Sequence, residues 1–140
     1  MMEGMTQKNK QLLLQDLCAR FPYGLKVKIK YYDTVWNLRA IYTSGSIYAM
    51  NDVGYTIDAY FEDCKPYLFP LSSMTEEQYN EFFSYYHNIE MNEIKMSGDY
   101  LKAAYLGENA KHDWLNKNHF DYRYLIDRNL AIDCTSLNIY

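Results

Sequence analysis

The stretch His112-Asp113-Trp114-Leu115-Asn116-Lys117-Asn118-His119-Phe120-Asp121-Tyr122-Arg123 holds the densest cluster of chemistry-bearing side chains in this 140-residue chain. On a helical wheel His112, Asn116 and His119 fall within about 40° of one another, so a helix would set them on one face. A histidine pair with Asp113 or Asp121 nearby has the composition of a metal site or of a general acid–base pair. The spacing argues against both. An i/i+7 pair on a helix lies about 10 Å apart along the axis, too far for one ion, and no HExxH pattern is present. The preferred reading of the segment is helix capping and surface hydrogen bonding. Partner recognition by Asp113, Asn116, His119, Tyr122 and Arg123 comes next.

A second constellation lies near the N-terminus. Tyr31, Tyr32, Trp36, Tyr42 and Tyr48 stand close in sequence to Lys26, Lys28, Lys30 and Arg39. Aromatic faces beside cations are what single-stranded nucleic acid requires, because bases stack on rings and phosphates pair with ammonium or guanidinium groups. Trp36, Tyr42 and Tyr48 are therefore candidate binding residues. Other templates fail: the six glycines are isolated, and neither a phosphate-cradling loop nor a GxSxG elbow occurs. His87 with Glu90 reads as a histidine interacting with the dipole at a helix C-terminus. No catalytic residue, metal ligand or cofactor is assigned.

These residues need elements to position them. Leu13, Leu14, Leu17, Cys18 and Phe21 recur at helical spacing, which predicts a helix from about Thr6 to Ala19, stopped by Pro22 and Gly24, with Cys18 a small buried thiol. Strict alternation in Leu25-Lys26-Val27-Lys28-Ile29-Lys30-Tyr31 predicts a strand with one wet face, its lysines a solvated face or an edge guard. Segments 34–43, 47–50 and 55–60, divided by Ser44-Gly45-Ser46 and Asn51-Asp52-Val53-Gly54, complete four strands of an antiparallel meander or small open barrel. Pro66 and Pro70 then suggest an extended connector leaving the sheet. Thr75 with Gln78 forms a capping box ahead of Tyr79, Phe82, Phe83 and Tyr86, predicting a helix over 75–87 with these aromatics as its core stripe. A loop is expected over 88–98, then a short helix near 99–106 ended by Gly107. Asn109 would cap another helix through about His119, and Asp121 a short turn through Ile126. Leu130-Ala131-Ile132 reads as a final short strand. The fold class is α+β, a single domain over 1–140 with two to four C-terminal helices.

Totals limit the function classes. Sixteen tyrosines lift the aromatic share to 17%, and tyrosine suits sheet faces and wet interfaces alike. Net charge is −4, split between +4 over residues 20–39 and −8 over 51–100. An acidic protein with this split argues against a duplex-DNA binder and suits two surfaces with different partners. Three distant cysteines offer neither a disulfide framework nor a metal knuckle. The opening MMEGMTQKNKQ has no signal-peptide pattern and no stretch is long enough for a span, so a cytoplasmic protein without a membrane partner is expected.

Three stretches resemble a family of small proteins from gut-bacterial genomes, their phages and mobile elements. They are Asp16-Leu17-Cys18-Ala19-Arg20-Phe21-Pro22-Tyr23-Gly24, the run from Lys65 through Pro66-Tyr67-Leu68-Phe69-Pro70-Leu71-Ser72-Ser73-Met74-Thr75 to Glu76-Glu77, and Asp113 to Arg123, followed by Leu130-Ala131-Ile132. This chain has Phe69 where the family looks to prefer Arg, and Tyr124 where it looks to prefer Gly. The resemblance implies no enzyme and no known ligand. It implies a mobile-element context in which small acidic proteins bind host or phage components. The expectation is a non-enzymatic interaction protein that takes a protein, or else a small ligand, on a tyrosine-rich surface. Single-stranded nucleic acid or a nucleotide is the first alternative, and a hydrolase using His112, Asp113 and His119 the second. A homo-oligomer is compatible with either.

Overall fold

The computed structural model describes residues 5–140, so the Met1–Gly4 part of the signal-peptide reading lies outside it. Helix α1 (Gln7–Arg20) starts at Thr6, whose hydroxyl accepts from the Asn9 amide at 3.2 Å. A 3₁₀ turn (Phe21–Tyr23) leads into β1 (Lys26–Ile29), β2 (Trp36–Ile41), β3 (Ser46–Asn51) and β4 (Thr56–Tyr60). A second 3₁₀ turn (Phe61–Asp63) leads to β5 (Cys64–Pro70), and a third (Leu71–Ser73) to α2 (Glu76–Ser97) and α3 (Tyr100–Lys117). Two short strands, β6 (Phe120–Asp121) and β7 (Ile132–Asp133), follow. The α+β class, the N-terminal helix, the antiparallel meander and the short final strand are as the sequence indicated.

The sheet runs β4-β3-β2-β1-β5-β6, with β7 also on β5. Alternation sends Leu25, Val27, Ile29, Trp36, Leu38, Ile47 and Ala49 inward, where they meet Leu13 and Leu17 of α1. The sheet curls enough that Ile29 of β1 and Ile57 and Ala59 of β4 line one cleft, although two strands separate them in the ladder. Because β1 lies inside the sheet, its lysines guard no edge. Lys26 Nζ donates to Asn37 Oδ1 (3.1 Å) and Lys28 Nζ to the Tyr32 carbonyl (3.0 Å).

Three expectations are corrected. Lys65–Leu71 does not leave the sheet: residues 64–70 are β5, paired with β1, β6 and β7. Pro66 and Pro70 have no N–H to donate there, while Phe69 N donates to His119 O and Leu68 O accepts from Cys134 N. Second, no loop spans 88–98. Helix α2 runs on to Ser97, Gly98 caps it at φ +67, and Asp99 caps α3 by accepting from the Lys102 amide. Gly107 and Asn109 lie inside α3 and neither breaks nor caps a helix. His87 is accordingly mid-helix, stacked on Phe83 at 5.0 Å. Third, Cys18 is exposed, and the buried stripe of α1 is Leu13, Asp16, Leu17 and Arg20.

The capping box forms as expected, Thr75 and Gln78 exchanging bonds of 2.9 and 3.1 Å. Yet α2 has no fully buried residue, and Tyr79 stays exposed. Its partner is α3, against which Phe82 meets Trp114 edge-on and Lys111 covers the Tyr86 ring. No helix among the described residues is long and apolar enough to cross a membrane.

Candidate functional site

The polar segment after Asp113 turns mostly inward. Asp16 and Arg20 are fully buried on α1, and Arg20 Nε donates to both carboxylate oxygens at 2.9 and 3.0 Å. Arg20 also reaches the carbonyls of Leu115 and Phe120, and Arg123 Nη1 donates to Asp16 Oδ1 at 2.7 Å. Tyr122 packs its ring against both guanidiniums, stacks on His112, and donates its hydroxyl to buried Asn116 Oδ1 at 3.0 Å. Asp121 caps the next turn by accepting from the amides of Leu125 and Ile126. Asn116, Tyr122 and Arg123 therefore pin α1 to the end of α3. They are brought together, but as a buried connection and not as an open surface.

His119 belongs to the same connection. It is buried in the left-handed region at φ +62, stacked on Tyr140 with centroids 3.8 Å apart. Burial, with Arg20 and Lys26 nearby, lowers its pKa to about 4. The Tyr140 hydroxyl accepts from the Lys26 amide and donates to the Tyr67 carbonyl. Of the candidate residues Asp113, Asn116, His119, Tyr122 and Arg123, Asp113 alone lines an open cleft, about 690 Å³, beside Tyr23, Tyr85, Trp114 and Lys117. Among the described residues no group of three His, Cys, Asp or Glu side chains could hold a metal ion.

The sheet candidates also divide. Trp36 points into the core, 4% exposed, its Nε1 without a hydrogen-bond partner and its ring edge-on to Tyr32 at 5.8 Å. It offers no face to a base. Tyr42 is exposed at the end of β2, and Tyr48 is half-buried on β3 opposite Asp58.

A different set of tyrosines forms the open aromatic surface. Tyr31 (86% exposed), Tyr60 (67%) and Tyr32 (47%) rim a cleft of about 500 Å³ floored by Ile29, Ile57 and Ala59. Tyr31 sits at φ +74, a conformation that costs a bulky residue roughly 1 kcal/mol or more. Lys30 Nζ lies 5.1 Å from its ring centre. Asp58 and Asp63 also line the cleft, and neither forms an ion pair among the described residues. Tyr31 and Tyr60 were visible as sheet tyrosines in the sequence. What joins them is curvature that brings β4 to the end of β1, which no local pattern records. No protein-family model matches this chain, no curated protein matches its sequence, and no solved structure matches its fold.

Proposed function

We propose that this is a non-enzymatic interaction protein that holds a partner protein in the cleft rimmed by Tyr31, Tyr32 and Tyr60. The observation that carries the reading is the combination of an apolar floor with three exposed tyrosines, one in a strained backbone conformation. Tyrosine gives large contact area at low conformational cost and a hydroxyl for the wet rim, the chemistry of interface anchors. In the mobile-element setting that the resemblance implies, the partner is a host or phage protein.

Single-stranded nucleic acid is the weaker reading. Burial of Trp36 removes its best stacking platform, and Lys26 and Lys28 are engaged by Asn37 and the Tyr32 carbonyl. The hydrolase alternative is weaker still, since His119 is enclosed and His112 is stacked on Tyr122.

A photo-crosslinking residue placed at position 31, and separately at exposed position 79 on α2, tests the proposal in host lysate. A discrete product from position 31 that excess unmodified protein competes away, and that is absent from position 79, is expected. Equal labelling from both positions would remove the cleft from consideration.

A further inference from the structure

Strand β4 ends the sheet, and among the described residues no strand pairs with its outer edge. The ladder to β3 fixes which backbone groups face out. Phe61 N donates to Gly45 O and Asn51 N to Tyr55 O, so by alternation positions 55, 57, 59 and 61 turn their backbone toward β3. Thr56 and Asp58 turn their N–H and C=O groups outward. Edges of this kind are usually blunted by lysine, proline, a bulge or a covering segment. Thr56–Tyr60 contains no lysine and no proline, and the register shift at this end of the sheet lies in β2. The strand's one charge is Asp58, which deters pairing with a like strand but not with a basic one.

The tyrosine-rimmed cleft follows that edge. Ile57, Asp58, Ala59 and Tyr60 all line it, although their side chains alternate between the two faces of the sheet. A space that four consecutive strand residues all line has to run along the strand's rim.

We propose that the partner binds as an extended segment that adds a strand to β4, with an apolar side chain on Ile57 and Ala59 and a basic one beside Asp58 and Asp63. This rests on the cleft being the binding surface. Main-chain pairing supplies affinity in such complexes, and pockets for alternate side chains supply selectivity. Charge selects the basic residue: among the described residues Asp58 and Asp63 form no ion pair, while Lys30 lies over the Tyr31 ring. Charge also counts against a second copy of this chain. Antiparallel pairing of two β4 strands about their midpoint sets Asp58 opposite Asp58, a destabilising like-charge pair.

Amide exchange of the full chain tests the pairing, with a capped heptapeptide of alternating valine and arginine as probe. Protection of the Thr56 and Asp58 amides on adding peptide is expected. Binding should weaken roughly fivefold when glutamate replaces the arginines. Thr56→Pro removes one outward donor at the first strand position, where proline is tolerated; it should weaken binding roughly tenfold without loss of the β3 ladder. Shifts of the Tyr31 and Tyr60 ring signals with no amide protection would overturn strand addition and leave the cleft standing. No response at either place would overturn both. Protection that appears without peptide and grows with protein concentration would identify a second copy as the occupant and overturn the basic segment.

Discussion

Asp16 and Arg20 stand one turn apart on α1, both fully buried, with Arg20 Nε shared between the two carboxylate oxygens. The pair joins three parts of the chain, because Arg20 also holds the Leu115 and Phe120 carbonyls and Arg123 returns to Asp16. Burying two charges is costly, and breaking such a pair leaves one of them uncompensated. Asp16→Leu, which takes the carboxylate from fully buried Arg20 as well as from Arg123, should cost about 3–5 kcal/mol. Asp16→Leu combined with Arg20→Met should recover a large part of that loss, since no fully buried charge then lacks its partner. Urea unfolding midpoints at unchanged slope measure both. A single-mutant loss below about 1 kcal/mol would mean that water reaches the site.

His119 makes stability depend on pH in a definite direction. Its pKa is about 4 in the folded chain, against an ordinary value of about 6.5. The unfolded chain therefore binds the proton more readily, and the neutral imidazole's contribution is present above pH 6.5. It is lost progressively as pH falls from about 6.5 to about 4, by on the order of 3 kcal/mol. His119→Asn keeps a residue that tolerates positive φ and has no titration in this range. The variant should be less stable at neutral pH, for want of the Tyr140 stack, and should lack the slope between pH 6.5 and 4. An unchanged slope would assign it to other groups.

The elements legible in the sequence are those whose local signals agree with their tertiary surroundings. The alternation of β1, the Gly45 and Gly54 turns, the Thr75–Gln78 box and the Asp121 turn each have a short-range cause. Residues 88–107 were illegible because α2 and α3 bury little apolar surface against the sheet. Their mutual face is built from small residues such as Ala103, Gly107 and Ala110, which leave no strong stripe. Asp16 and Arg20 sit at i+3 and i+7 from Leu13, on the core spacing itself, but charge at such a position ordinarily marks solvent, so spacing alone does not reveal their burial. Trp36, a candidate stacking residue in the sequence, shares its parity with Leu38, and that alternation turns both into the core. For the candidate site, the polar density of segment 112–123 is plain in the sequence, but the fold turns most of it into a buried connection. The cleft depends on sheet curvature and on a backbone angle at Tyr31, neither written in spacing.

Gly107 offers a test of how closely α2 and α3 approach. A Cβ built there would meet the Glu90 side chain, with Cγ only 2.5 Å away. In the native background Gly107→Ala should destabilise, because Glu90 must leave its position over the α3 backbone. With Glu90→Ala also present the same substitution should stabilise by up to about 1 kcal/mol, the helix-propensity difference between glycine and alanine. Thermal unfolding of the four proteins gives the sign reversal directly. Equal effects of Gly107→Ala in both backgrounds would show that Glu90 does not set the constraint.

Tyr31 and Tyr124 are both exposed tyrosines in the left-handed region, at φ +74 and +59, but only Tyr31 lines the cleft. Glycine reaches this region without strain, though it gives up more chain entropy on folding. Net gains of roughly 0.5–1 kcal/mol are expected for Tyr31→Gly and for Tyr124→Gly alike. Their effects on binding should part company. Tyr124→Gly should leave binding of the valine–arginine peptide unchanged, whereas Tyr31→Gly should weaken it by roughly 1–2 kcal/mol, the scale of an anchoring aromatic. Stability and peptide affinity measured on the same two variants separate strain kept for a contact from strain that is incidental. Tyr31→Gly that gains stability and binds as well as the native protein would show that the left-handed tyrosine at the cleft serves no recognition.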